Sequence, residues 1–106
     1  MASIEHLKNA QGVKIIDVRK KPDDMQIPGS IRYNGDALET SETLPFSKDE
    51  QVVLYCGSGN SCARIARTLR EKGFANAQAL DGGYAAWKDA GLPLEPISEV
   101  REVPAG

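Results

Sequence analysis

Two cysteines, Cys56 and Cys62, lie close together in the chain and are separated by the run Gly-Ser-Gly-Asn-Ser. Cys56 directly follows an apolar, β-branched segment, residues 51–55, that predicts a buried strand. The two intervening glycines can adopt backbone angles closed to other residues, so successive N–H groups can turn toward one point. A helix beginning near Ser61 would add unpaired amides and the positive end of its dipole. Cysteines in such surroundings reach pKa values of about 3.5–7.5, against about 8.5 when free, so the spacing predicts a nucleophilic thiolate at Cys56.

A second interpretation of each cysteine is structural, because cysteine is among the most buried residue types. Cys62 is either a resolving thiol for Cys56 or a buried residue on the first helical turn, and we favour burial. The chain has one histidine, His6, so the two cysteines cannot form a tetrahedral zinc site unaided. We expect His6 on the surface of the first helix and predict no metal site.

The elements that would position Cys56 alternate between strand and helix, which predicts an α/β domain with a mostly parallel sheet. We expect about four or five strands and helices on both faces of the sheet. Strands are predicted at residues 13–18, 30–33, 51–56 and 77–80, and helices at residues 4–10, 62–72 and 84–90. Residues 19–26 suggest a loop or loose helical turn, residues 37–50 are ambiguous, and the tail after Pro96 is expected to be loose.

Composition excludes several classes of protein. The 106 residues fit one domain, residues 1–106, and the net charge of −2 suggests neither nucleic acid nor an anionic membrane as a partner. No apolar run approaches the roughly 20 residues that span a bilayer, and the start of the chain does not resemble a signal peptide. The expected compartment is the cytoplasm, where both cysteines would be reduced.

Three motifs, together with Cys56, resemble the rhodanese (thiosulfate sulfurtransferase) homology family. Ile15-Ile16-Asp17-Val18-Arg19 is similar to the family's first strand with its Asp-x-Arg turn, and Ile27-Pro28-Gly29-Ser30-Ile31 to its His-Ile-Pro-Gly-Ala-x-Asn motif. Leu80-Asp81-Gly82-Gly83-Tyr84 with Trp87, followed by Ala90-Gly91-Leu92-Pro93, resembles the carboxyl-terminal motif. The resemblance runs from about residue 3 to residue 96, and Cys56 stands where the family has its active cysteine.

This chain departs from the family pattern at three places. Gln26 stands where many members have histidine, and Tyr33-Asn34 replaces the usual Asn-Ile/Val-Pro. The loop after Cys56 has no arginine or lysine, whereas members that use thiosulfate often have basic residues there. Its Cys-Gly-Ser-Gly-x-Ser pattern is similar to the loop of 3-mercaptopyruvate sulfurtransferases, which usually have two domains. The sulfur donor is therefore left open between thiosulfate and 3-mercaptopyruvate.

The resemblance implies a single-domain sulfurtransferase that carries sulfane sulfur as a persulfide of Cys56 and passes it to a thiol or cyanide, without a cofactor. The expected substrate-binding residues form the loop that follows: Gly57, Ser58, Gly59, Asn60, Ser61 and Cys62. An alternative is a persulfide carrier or docking module that serves a protein sulfur acceptor. An arsenate reductase or phosphatase is less favoured, because Cys62 occupies the position of the arginine in their Cys-x5-Arg loops.

Charged residues near the predicted site also have two interpretations. Asp17 and Arg19 could touch the site, since their strand should lie beside the Cys56 strand, but we favour a structural ion pair beneath it. Arg64, Arg67 and Arg70 are expected on a solvated helix face, with Arg64 near the mouth of the loop.

Overall fold

The computed structural model describes residues 7, 12–20, 23–41, 44–57, 60–97 and 100–101. Its main sheet has four parallel strands, β1 (Lys14–Asp17), β3 (Ile31–Arg32), β4 (Val52–Tyr55) and β5 (Ala77–Ala79), which lie in the order β3-β1-β4-β5. Two further strands, β2 (Met25–Gln26) and β6 (Glu95–Pro96), form a separate antiparallel pair. The helices are α1 (Gly35–Thr40), α2 (Asn60–Glu71) and α3 (Gly83–Asp89).

Side chains of β4 alternate between two apolar cores, one on each face of the sheet. Val52, Leu54 and Cys56 belong to the core that includes Cys62, Ile65 and Leu69 of α2. Val53 and Tyr55 belong to the core that includes Tyr84 and Trp87 of α3. Helices therefore cover both faces, and the predicted α/β class with a mostly parallel sheet is confirmed.

Two elements differ from the sequence prediction. Residues 37–50 gave no clear pattern, yet α1 forms here because the Asn34 side chain accepts a hydrogen bond from the Ala37 N–H and because Leu38 is buried. The predicted loop at residues 19–26 ends in strand β2, which pairs with β6; a two-residue strand is too short to show a period. The other predicted strands are found within one or two residues, and α2 begins at Asn60 instead of Cys62.

The predicted first helix, residues 4–10, lies outside the described residues except for Leu7, which is helical and buried. His6 lies outside them as well. In the segment after Pro96, the Ile97 N–H donates to the Asp24 carbonyl, and Val100 bridges Arg32 in parallel. Among the described helices, none has the length and apolar character needed to cross a membrane.

Candidate active site

Cys56 follows β4 directly, at the carboxyl edge of the parallel sheet, where ligands bind in open α/β folds. The residue is buried, with 5% of its surface exposed. Its carbonyl accepts a hydrogen bond from the Tyr84 N–H at 2.8 Å, and the Gly57 carbonyl accepts one from the Ala85 N–H at 3.0 Å. These are N–H groups of the first turn of α3, which have no partner inside the helix. The first turn of α3 therefore fixes the base of the loop.

The predicted glycine turn before α3 makes this contact possible. Gly82 has a φ of 76° and Gly83 has a φ of 62°, which lie in a region of backbone angles that residues with a side chain rarely adopt. A Cβ added to Gly82 would also lie 2.5 Å from the Ala86 Cβ. Replacement of Gly82 would thus move the helix end that holds the backbone of Cys56.

The sulfur of Cys56 accepts a hydrogen bond from the backbone N–H of Cys62 at 3.4 Å. Cys62 lies in the first turn of α2, where the backbone N–H groups point out of the helix end. The positive end of the helix dipole and this N–H both favour negative charge on the sulfur. The structure thus brings the two ends of the predicted loop together. Gly57 is exposed at its start, Ser58 and Gly59 lie outside the described residues, and Asn60 and Ser61 are described only as part of α2.

Cys62 is fully buried, as predicted, in the core with Ile65 and Leu69. Its thiol pKa is raised well above the ordinary value, first because it is hydrogen-bonded to the Cys56 side chain and second because it is buried. Cys62 is therefore held as a neutral thiol that can donate to the Cys56 sulfur. Both cysteines are free of disulfides.

Asp17 and Arg19 form the predicted ion pair one strand away from Cys56, since β1 pairs with β4. Asp17 is completely buried and accepts hydrogen bonds from the Arg19 backbone N–H at 2.9 Å and from its Nη2 at 2.8 Å. Burial lowers the pKa of Arg19, but the hydrogen bond and charge of Asp17 outweigh it, so the net pKa is raised. The guanidinium carbon lies 4.0 Å from the Tyr84 ring centroid. The Asp17–Arg19 pair therefore connects the end of β1 to α3, the helix whose first turn fixes the base of the Cys56 loop.

Tyr55, the residue before Cys56, has its side chain on the other face of the sheet, where hydrogen bonds hold it in place. Its hydroxyl donates to the Ser30 Oγ at 2.9 Å and accepts from the Ile27 N–H at 3.3 Å. Burial raises the pKa of Tyr55 to about 12. The Ile-Pro-Gly-Ser turn, which carried part of the family resemblance, is therefore a support for the end of β4.

Gln26, which stands at a frequent histidine position of the family, is fully buried and donates from Nε2 to the Glu95 Oε2 at 2.6 Å. Its side chain thus links β2 to β6.

Sequence reasoning missed Arg32, whose Nη1 lies 3.2 Å from the Asp17 Oδ2 and whose Nη2 donates to the Arg19 carbonyl at 2.9 Å. No cluster of three or more His, Cys, Asp or Glu side chains suited to a metal ion occurs in the part of the chain that the structure describes.

Comparisons with known proteins agree with this architecture. The model of the rhodanese-like domain family matches residues 2–90. The chain is 30% identical over 100 residues to the thiosulfate sulfurtransferase GlpE of Shewanella oneidensis, covering 85% of this chain and 98% of that protein. It is 31% identical over 110 residues to the uncharacterized protein slr1261 of Synechocystis sp., covering 95% of this chain and 60% of that protein's length.

Among solved structures, the Alr3790 protein of Anabaena sp. is similar, with a TM-score of 0.75 and 28% sequence identity over 91% of this chain and 82% of that one. The family match spans most of the residues that build the sheet, the Cys56 loop and α3. The chain therefore belongs to the rhodanese-like domain family.

Proposed function

We propose that this chain is a sulfurtransferase that moves sulfane sulfur from a donor such as thiosulfate to a thiol or cyanide acceptor through a persulfide of Cys56. The observation that carries the proposal is the environment of the Cys56 sulfur. It lies at the carboxyl end of β4 and accepts a hydrogen bond at 3.4 Å from the Cys62 N–H in the first turn of α2. Such a donor stabilises a sulfur anion, whether it is the thiolate or the persulfide.

The proposed reaction has two displacements at sulfur. The Cys56 thiolate attacks the outer sulfur of thiosulfate, the sulfur–sulfur bond of thiosulfate breaks, and sulfite leaves with the electron pair. The acceptor thiolate or cyanide then attacks the terminal sulfur of the Cys56 persulfide. The bond to Sγ breaks, and its electron pair restores the thiolate. No external oxidant or reductant takes part.

The proposed roles of the loop follow from the negative charge that the persulfide and the departing group carry. Amides of residues 57–62 would hold the anionic persulfide and the departing group, and the Cys62 N–H already contacts the sulfur. The Cys62 side chain differs from an arginine in that it offers one weak donor and no positive charge. The loop is thus less suited to a tetrahedral oxyanion substrate, which speaks against a phosphatase or arsenate reductase.

Intact-mass measurement tests the proposal. The protein is incubated with thiosulfate or with 3-mercaptopyruvate, and the mass of one added sulfur atom is expected on wild type and not on Cys56→Ser. Thiocyanate formation with cyanide, or persulfide formation on a small thiol, then measures turnover. Absence of the added sulfur with both donors would contradict the proposal. Sulfur loading without turnover on small acceptors would instead favour a carrier that serves a protein acceptor.

A further inference from the structure

Tyr84 is attached to two parts of the molecule, by its backbone and by its side chain. Its backbone N–H donates to the Cys56 carbonyl at 2.8 Å. Its hydroxyl donates to the Asp23 carboxylate, with the hydroxyl oxygen 3.0 Å from Oδ2 and 3.2 Å from Oδ1. Asp23 lies between β1 and β2, 61 positions away in the sequence. One residue of α3 thus connects this segment to the backbone of the proposed nucleophile.

The ring of Tyr84 is packed between two other groups. The guanidinium carbon of Arg19 lies 4.0 Å from its centroid, and the ring of Tyr55 stacks on it at 6.2 Å with an interplanar angle of 19°. Burial, and after it the hydrogen bond to Asp23, raises the pKa of the Tyr84 hydroxyl, so the hydroxyl keeps the proton that it donates. Because a packed ring has few alternative rotamers, a displacement of the hydroxyl is passed on to the backbone N–H of the same residue.

Asp23 is an exposed aspartate whose carboxylate nevertheless has several partners. Its Oδ1 accepts hydrogen bonds from the Met25 N–H at 2.9 Å and from the Arg19 Nη1 at 3.4 Å, and its Oδ2 lies 3.8 Å from the Lys88 Nζ. The hydrogen bond from the Met25 N–H is the main cause that lowers the pKa of Asp23, so the carboxylate is ionised at neutral pH. The exposed side chain of Asp24, its neighbour, makes no hydrogen bond or ion pair with the residues that the structure describes.

We propose that Asp23 is a positioning residue for Cys56, which acts through the Tyr84 side chain and the first turn of α3. That turn holds the Cys56 carbonyl, whereas the Cys56 sulfur accepts the Cys62 N–H of α2 at 3.4 Å. Displacement of the turn moves the Cys56 backbone relative to this donor, and the sulfur anion then loses part of the hydrogen bond. The inference rests on the proposed role of Cys56 as the nucleophile, and it assigns part of the reactivity of the sulfur to a surface carboxylate.

Alkylation of Cys56 by iodoacetamide, measured over a range of pH, reports the stability of its thiolate without any sulfur donor. Asp23→Ala removes the acceptor of the Tyr84 hydroxyl and should raise the pH midpoint of the alkylation rate. Below the midpoint the rate should fall about threefold, which is less than the roughly fivefold that complete loss of one hydrogen bond would cause, and the alkaline plateau should not change. Removal of a negative charge by itself stabilises a thiolate and lowers the midpoint, so the lost charge of Asp23 cannot produce this rise.

Three further variants separate the hydrogen bond from the charge. Asp23→Asn removes the same charge but keeps an oxygen that can accept from the Tyr84 hydroxyl, so it should not raise the midpoint. Asp24→Ala removes an equal charge at the next position and should not raise it either. Tyr84→Phe loses the hydroxyl but keeps the ring, and it should reproduce the rise seen in Asp23→Ala. The double variant should show no further rise, because both substitutions remove the same contact.

The measurements also distinguish positioning from a purely structural role. A lower urea midpoint of Asp23→Ala with an unchanged alkylation profile would overturn the proposal, because Asp23 would then support only the stability of the fold. An equal rise of the pH midpoint in Asp24→Ala, or additive rises in the double variant, would also overturn it. Failure of the sulfurtransferase proposal is seen separately, as absence of the sulfur adduct on Cys56 of the wild-type protein.

Discussion

Substitution of Cys62 separates the roles of the two buried cysteines. Cys62→Ser keeps the backbone N–H that contacts the Cys56 sulfur at 3.4 Å, and its hydroxyl can donate to that sulfur as the thiol does. Sulfur is a weak acceptor, however, so it replaces water poorly for a hydroxyl in this fully buried apolar site, and the substitution costs about 1–3 kcal/mol of unfolding free energy. Cys62→Ala also keeps the N–H but removes the side-chain donor. We therefore expect Cys62→Ser to retain the sulfur adduct and most of the turnover, with a lower midpoint in urea.

The rate at which iodoacetamide alkylates Cys56 at about pH 7 measures how much the Cys62 side-chain donor contributes to the reactivity of Cys56. The Cys62 thiol is a weak donor, and its loss removes about 1 kcal/mol of stabilisation from the Cys56 anion. Cys62→Ala should therefore alkylate about fivefold more slowly than wild type, while Cys62→Ser should stay close to wild type. Equal rates in all three proteins would show that the Cys62 side chain does not support the Cys56 anion. Loss of the sulfur adduct in Cys62→Ser, with an intact fold by circular dichroism, would refute the single-nucleophile reasoning and indicate a two-thiol relay.

Three further perturbations test the loop and its supports. Gly57→Arg should lower KM for thiosulfate in steady-state assays, because an added Cβ at this exposed position meets no atom within 4 Å and the new charge attracts the dianion. An unchanged or higher KM would mean that the charge of the loop does not limit thiosulfate binding. Asp17→Asn should lower the unfolding free energy by about 3–5 kcal/mol in urea titrations, because the buried Arg19 loses its closest charged partner and keeps only the Asp23 carboxylate at 3.4 Å, while Arg32 loses its contact with the same carboxylate. A loss below about 1 kcal/mol would contradict this. Since burial raises the pKa of Tyr55 to about 12, the unfolded chain loses this proton first, so stability should fall by about 2–3 kcal/mol between about pH 10 and pH 12. Tyr55→Phe should flatten that decline, and an unchanged decline would assign it to other groups.

The Cys56 strand and the α2 helix could be predicted because each has a strong hydrophobic period. Val52 to Tyr55 is continuously apolar, as a strand covered on both faces requires. Cys62, Ile65 and Leu69 repeat at helical spacing, so burial of Cys62 followed from the pattern alone. The Asp17–Arg19 ion pair beside the Cys56 strand was also predicted.

Contacts between distant segments with no period of their own could not be predicted. Strands β2 and β6 have two residues each, and their register depends on Gln26 meeting Glu95 across 69 positions of sequence. The contact of Arg32 with Asp17 follows from the β1–β3 register, which a two-residue strand does not reveal. A cavity lined by Val18, Arg32, Ile65 and Val100 joins four separate segments of the chain, so no single segment predicts it.

The two ends of the Cys56 loop are attached to different parts of the molecule. The carbonyls of Cys56 and Gly57 are bound by α3, whereas Cys62 is anchored in the core beneath α2. The Cys56 sulfur is therefore located jointly by two helices that pack on opposite faces of the sheet. Its position depends on the packing of both helices, so a small shift of either one would change the distance from this sulfur to the Cys62 N–H.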